Sequence, residues 1–151
     1  MKNIFLIGAA VAALAIGAGI YTALDTGKKS PILAAGKIAL KDDLVSHAKG
    51  VHTLFLVLYD QDSPMPMPFG AVKERLEKDA EAGDFYEFFI TKEKLQMMNP
   101  DAPMPANFRV KVRLDRDGMG GMDQPGDLVG ETRDVALGEG AARVEITSLV
   151  Q

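Results

Sequence analysis

Cysteine is absent from the 151 residues, as is tryptophan. Without a thiol there is no disulfide, no thiol redox couple, no lipoprotein anchor on an N-terminal cysteine, no iron–sulfur cluster and no cysteine-containing zinc site. The lack of disulfides leaves the compartment open, because oxidising compartments permit them without requiring them. Seven Phe and three Tyr are the whole aromatic complement, which leaves few platforms for stacking on bases or sugars. Histidine occurs twice, at His47 and His52. Neither lies in an H-E-x-x-H or G-x-S-x-G setting, and no glycine-rich phosphate loop followed by Lys-Ser/Thr is present.

Basic charge is also scarce after the first thirty residues. That stretch holds Lys2, Lys28 and Lys29 against Asp25, so of 17 basic and 21 acidic residues 14 and 20 remain beyond it, a net charge of −6. A domain this acidic is not a general nucleic-acid binder, since such affinity comes mainly from cations neutralising phosphates. The length allows one domain of ordinary size.

The one long uncharged run is residues 4–24, 21 residues preceded by Met-Lys-Asn and followed by Asp-Thr-Gly-Lys-Lys. A helix needs about 20 apolar residues to cross a bilayer, whereas the apolar part of a cleavable signal is about 7–15 long. The length therefore favours a retained signal anchor over 1–30, inserted in a bacterial inner membrane with residues 31–151 in the periplasm. Tyr21-Thr22-Ala23 weakly imitates a cleavage site, the use of which would instead leave a soluble periplasmic domain.

From residue 31 onwards apolar residues come in short runs separated by Pro, Gly and Asp. The runs predict strands over 32–40, 52–59, 69–76, 84–91, 107–114, 128–137 and 142–150, with a capped helical turn at 42–45 and a helical or looped excursion ending at Gly83. Run 52–59 is apolar on both faces and belongs near a sheet centre. In 107–114, Phe108, Val110, Val112 and Leu114 alternate with Asn107, Arg109, Lys111 and Arg113, giving one buried and one wet face. About seven strands at this spacing predict an all-β immunoglobulin-like antiparallel sandwich, with a cupredoxin-like barrel as the second choice.

Chemistry is harder to find. His52 opens the most apolar strand and His47 sits in the turn before it, as strand-opening and surface histidines do. Met65 and Met67 lie in Ser-Pro-Met-Pro-Met-Pro at 63–68, Met97, Met98 and Met104 follow, and Met119 and Met122 lie in a glycine-rich stretch, 117–127. Thioethers can hold Cu(I), but without Cys a blue-copper centre is excluded, and methionine equally packs loops or forms an adaptable partner surface. The prolines stiffen 63–68 into an extended path that suits a connector or a contact strip. The Arg109, Lys111 and Arg113 stripe points outward, towards an acidic partner, lipid head groups, or cross-strand carboxylates such as Glu131 and Glu145.

Five segments in order, the strand 52–59, Met-Pro-Phe-Gly-Ala-Val at 67–72, Met-Met-Asn-Pro at 97–100, the strand 108–114 and Gln-Pro-Gly-Asp-Leu-Val-Gly at 124–130, resemble the carboxy-terminal domain of the cytochrome c-type biogenesis protein CcmI, also called CycH. The resemblance covers residue 32 to 151. It implies an Ig-like domain on the outer face of the cytoplasmic membrane, among the machinery that attaches haem to apocytochrome c. Relatives in that family carry two membrane helices and a tetratricopeptide region before this domain, whereas one hydrophobic segment and no helical repeat precede it here. A non-catalytic accessory or interaction domain follows, with no cofactor, metal or small-molecule substrate and with proteins of the haem-attachment apparatus or apocytochrome c as partners. Met65, Met67, Met119, Met122, Arg109, Lys111 and Arg113 are its candidate contact residues. A periplasmic Met-rich copper-handling domain and an envelope adaptor unrelated to cytochromes are the alternatives.

Overall fold

A computed structural model describes residues 30–65 and 67–151. The anchor or signal segment, with its possible cleavage site, lies outside them. Seven strands of eight or nine residues and two of only two residues pack as a two-sheet all-β sandwich, β1 Ile32–Leu40, β2 Thr53–Asp60, β3 Pro68–Arg75, β4 Gly83–Thr91, β5 Gln96–Met97, β6 Asn107–Asp115, β7 Leu128–Ala136, β8 Glu139–Ile146 and β9 Ser148–Leu149. One sheet runs β4-β1-β8 and the other β5-β3-β2-β6-β7-β9. The expected sandwich is present, with one correction to its antiparallel description, because β1 and β8 pair in parallel.

Period-two patterning forms the core. Leu54, Leu56 and Leu58 of β2 and Phe108, Val110, Val112 and Leu114 of β6 face inward opposite one another. They meet Ile38 and Leu40 of β1, Ile90 of β4 and Val144 and Ile146 of β8 in one apolar cluster. Between β1 and β2 the chain makes a 3-10 turn, Asp42–Leu44, and a single helical turn, α1 Val45–Ala48, without a side-chain cap. The excursion after β3 is a loop, 76–82, held by Leu76 N–H donating to His52 O at 2.8 Å.

The sheets are joined where β7 turns into β8 through Leu137 and Gly138, and two glycines allow close backbone contact elsewhere, between the far ends of β7 and β8 and between β1 and β8. A Cβ on Gly130 of β7 would lie 1.9 Å from Glu145 O of β8, and one on Gly36 of β1 would lie 1.9 Å from Ala142 O. Only glycine fits at either position. Further along β7 a bulge opposite Phe108 and Val110 places Asp134 at φ 57. Gln61 holds that turn, accepting from Asp134 N–H while its amide donates to the Asp134 carboxylate.

Candidate functional site

The outer face of β2 and β6 sets the site. Register places Phe55 opposite Arg113, Val57 opposite Lys111 and Tyr59 opposite Arg109, so cations on one strand lie over aromatic rings on the next. The Arg109 guanidinium sits 3.9 Å from the Tyr59 ring centre and that of Arg113 4.9 Å from Phe55. This is cation–π geometry. Arg109 also donates to Glu131 at 2.8 Å, one of the cross-strand carboxylates expected from the sequence; Glu145 lies in the other sheet.

The wet face expected for β6 ends at Arg113, because loop 116–127 doubles back over it. Arg113 is only 5% exposed and Asp115 1%. Arg113 Nη1 donates to Gly121 O at 2.7 Å and to Asp123 at 3.2 Å, and its Nε lies 3.0 Å from Asp115 Oδ2 and 3.9 Å from Asp127. Lys111 closes the group by pairing with Asp123. The basic stripe is thus engaged inside the chain, and the reason is sequence order: a loop with acidic residues follows directly on the strand that carries the cations.

The loop backbone is pinned at successive points. Asp115 accepts Gly118 N–H at 2.6 Å, Asp117 accepts Met119 N–H at 2.8 Å, and Lys73 Nζ donates to Gly118 O at 2.8 Å. At the far end, the Gln-Pro-Gly-Asp turn is built around Asp127, itself buried, which accepts Gln124 N–H at 2.8 Å and Arg116 N–H at 3.1 Å. Gly126 takes φ +95, and its N–H reaches Val150 O at 2.9 Å. Gln124, Gly126 and Asp127 therefore each have a local structural task.

Electrostatics divides the carboxylates. Burial, assisted by Asp117 and by the charge of Asp127, raises the Asp115 pKa above the ordinary aspartate value, against the pull of Gly118 N–H and Arg113. Asp117 is held low, mainly by Met119 N–H and then by Asp115. For Asp123 burial favours the neutral acid, but hydrogen bonds from Lys111 and Arg113 outweigh it and lower the pKa. The large apolar side chains that the pinned loop offers to solvent are Met119, 70% exposed, and Met122, 84% exposed.

Met65 and Met67 are exposed too, but at the other end of the sandwich. Loop 61–67 follows Asp60 at one end of β2, while loop 116–127 follows Asp115, which pairs with Thr53 at the other. Eight residues of strand separate the ends, about 23 Å at 3.3 Å per residue. The four methionines do not form one surface. His52 Nε2 contacts Asp79 Oδ1 at 2.8 Å, and the same oxygen accepts Gly50 N–H at 3.0 Å, which lowers the Asp79 pKa. His47 enters through its carbonyl, which accepts from Arg116 at 2.8 Å. No group of three or more His, Cys, Asp or Glu suited to a metal ion occurs among the described residues. Compared with known proteins, the chain matches no family model, no curated protein and no solved structure.

The clasp itself, with Arg113 at its centre, is what sequence reasoning missed. Its signal was the spacing of three aspartates, 115, 123 and 127, around a glycine-rich stretch that follows an Arg-x-Asp strand end.

Proposed function

We propose that this chain is a non-catalytic interaction domain of cytochrome c maturation, tethered to the outer face of the cytoplasmic membrane and binding a protein of the haem-attachment apparatus or apocytochrome c. The observation that carries the binding role is the clasped loop, in which Met119 and Met122 stand in solvent on a backbone fixed by Arg113, Lys73 and three aspartates. Apolar groups ordered before binding lose little entropy on contact, and thioethers adapt to irregular partner surfaces. Within the clasp, Asp115 and Asp127 are committed to backbone N–H donors and to Arg113. The pathway rests on the resemblance of the five ordered segments.

The test uses the full chain in membranes. Met119→Ser with Met122→Ser is expected to reduce recovery of haem-attachment proteins in a pull-down while leaving the melting temperature unchanged, because both side chains are exposed. Unchanged recovery discards the loop. Normal amounts of haem-bound c-type cytochrome in a deletion strain without a paralogue discard the pathway.

A further inference from the structure

The end of the sandwich opposite the clasp carries fewer loop charges than the clasp end and more exposed apolar groups. A line of backbone hydrogen bonds ties it together from the point where the chain enters. Gly138 N–H donates to Leu33 O, Leu137 N–H to Ala106 O, Gln61 N–H to Asn107 O, and Met98 N–H to Phe69 O. Of the seven large apolar side chains exposed among the described residues, Met65, Met67, Met98 and Leu137 lie on this end. Its loops 61–67 and 98–106 hold two charged residues, Asp62 and Asp101, in sixteen positions, and Lys92, Glu93 and Lys94 follow β4 at its margin. Loops 41–52, 76–82 and 116–127 at the opposite end hold twelve in thirty-one. The two ends therefore suit different surroundings.

We propose that this apolar end rests on the lipid bilayer, with the thioethers of Met65, Met67 and Met98 in the interfacial region and the Met119–Met122 loop directed away from it. The proposal rests on the reading of residues 4–24 as a membrane anchor. The chain reaches β1 at Ile32, on this same end, and residues 25–31 span at most about 25 Å when fully extended. That is less than the length of β1, nine residues or about 30 Å, so the tether keeps this end the nearer one. Asp62 and Asp101 are the only charges in loops 61–67 and 98–106, and Lys94 at the margin is paired with Glu74, so the attraction is apolar burial rather than binding to anionic head groups. The surface predicted is zwitterionic phospholipid, with contact that persists in high salt.

The lack of native cysteine makes the test clean, because an introduced cysteine is the only thiol to label. Full-length Met65→Cys, Met98→Cys, Met119→Cys and Met122→Cys, each carrying a fluorophore, are reconstituted in phosphatidylcholine vesicles containing a lipid with a nitroxide just below the head group. Severalfold stronger quenching at 65 and 98 than at 119 and 122, retained in high salt, supports the proposal. In a Leu137→Cys reporter that quenching should fall when Met65, Met67 and Met98 are changed to Ser. Equal quenching at both ends, or stronger quenching at 119 and 122, overturns it. A chain that survives an alkaline wash but shows no quenching at 65 and 98 loses the contact and keeps the anchor. A chain that washes off the vesicles loses both.

Discussion

Arg113→Met is the most informative perturbation of the clasp. Methionine keeps an apolar stem over Phe55 and removes the guanidinium that lies within 4 Å of Asp115, Asp123 and Asp127. Asp115 and Asp127 are each 1% exposed, so they cannot turn to water and are left with backbone N–H donors alone. Removing one partner of a buried ion pair costs about 3–5 kcal/mol, most of it the desolvation of the charge left behind. With an unfolding entropy of about 2.1 cal/mol/K per residue, a domain of this size loses about 4 °C per kcal/mol, or about 12–20 °C here. Circular dichroism melts of parent and variant read this directly. The pH dependence separates electrostatics from packing. Asp115 already has a raised folded pKa, and losing Arg113 raises it further, so protonation favours the folded variant. The deficit should be full at neutral pH and shrink as pH falls through that raised value towards the ordinary aspartate range. A variant that melts within a few degrees of the parent, or with a gap independent of pH, would refute the clasp as a buried electrostatic unit.

Three further outcomes follow from the same geometry. Asp123→Asn removes the charge shared by Lys111 and Arg113 and should cost about 1 kcal/mol, with severalfold faster amide exchange across 117–127. In the parent the contribution of Asp123 is present above the ordinary aspartate pKa and is lost only as pH falls through its lowered folded value, so the protection of that loop relative to the intrinsic exchange rate should fall in acid before the core melts. Gly36→Ala places a Cβ on the Ala142 carbonyl and should abolish cooperative unfolding, whereas Gly120→Ala, 4.0 Å from the Phe55 ring edge, should be nearly silent. Val110→Asp buries an unpaired carboxylate at a fully enclosed position and should cost several kcal/mol, on the order of the whole stability; a melt within a few degrees of the parent would reverse the face assignment of β6.

Elements whose patterning is local were legible. The span 32–40 is β1, and 107–114 falls within β6, because alternation and flanking turn residues act within a few positions of each strand. Elements decided at a distance were not. β5 is two residues long and exists through its pairing with Gly70 and Ala71. The final run, expected as 142–150, begins at Glu139 and breaks at Thr147, whose N–H donates to Val129 O at 3.0 Å, so tertiary pairing divides what reads as one apolar stretch. The 77–82 segment is rich in helix formers, yet Ala80 is buried and Asp79 is tied to His52 and Gly50, and those contacts override propensity. At the candidate site the methionines were visible but not their division between two ends, since nothing in their spacing tells which way a strand runs. Arg113 read as a surface cation because period-two patterning describes a sheet face without the loop that covers it.

The parallel pairing of β1 with β8 has a bearing on when the domain can fold. β1 is the first strand after the amino-terminal segment and is buried along most of its length, yet one of its two neighbours is supplied only after β2 to β7 have been made. Such a pairing closes a very long loop and is slow to form. A chain synthesised amino end first therefore carries β1 without that neighbour until β8 has been made, and its three-stranded sheet is completed only then. Until the last strands are available the apolar β1 segment keeps one unpaired edge, which is the state most open to misassociation.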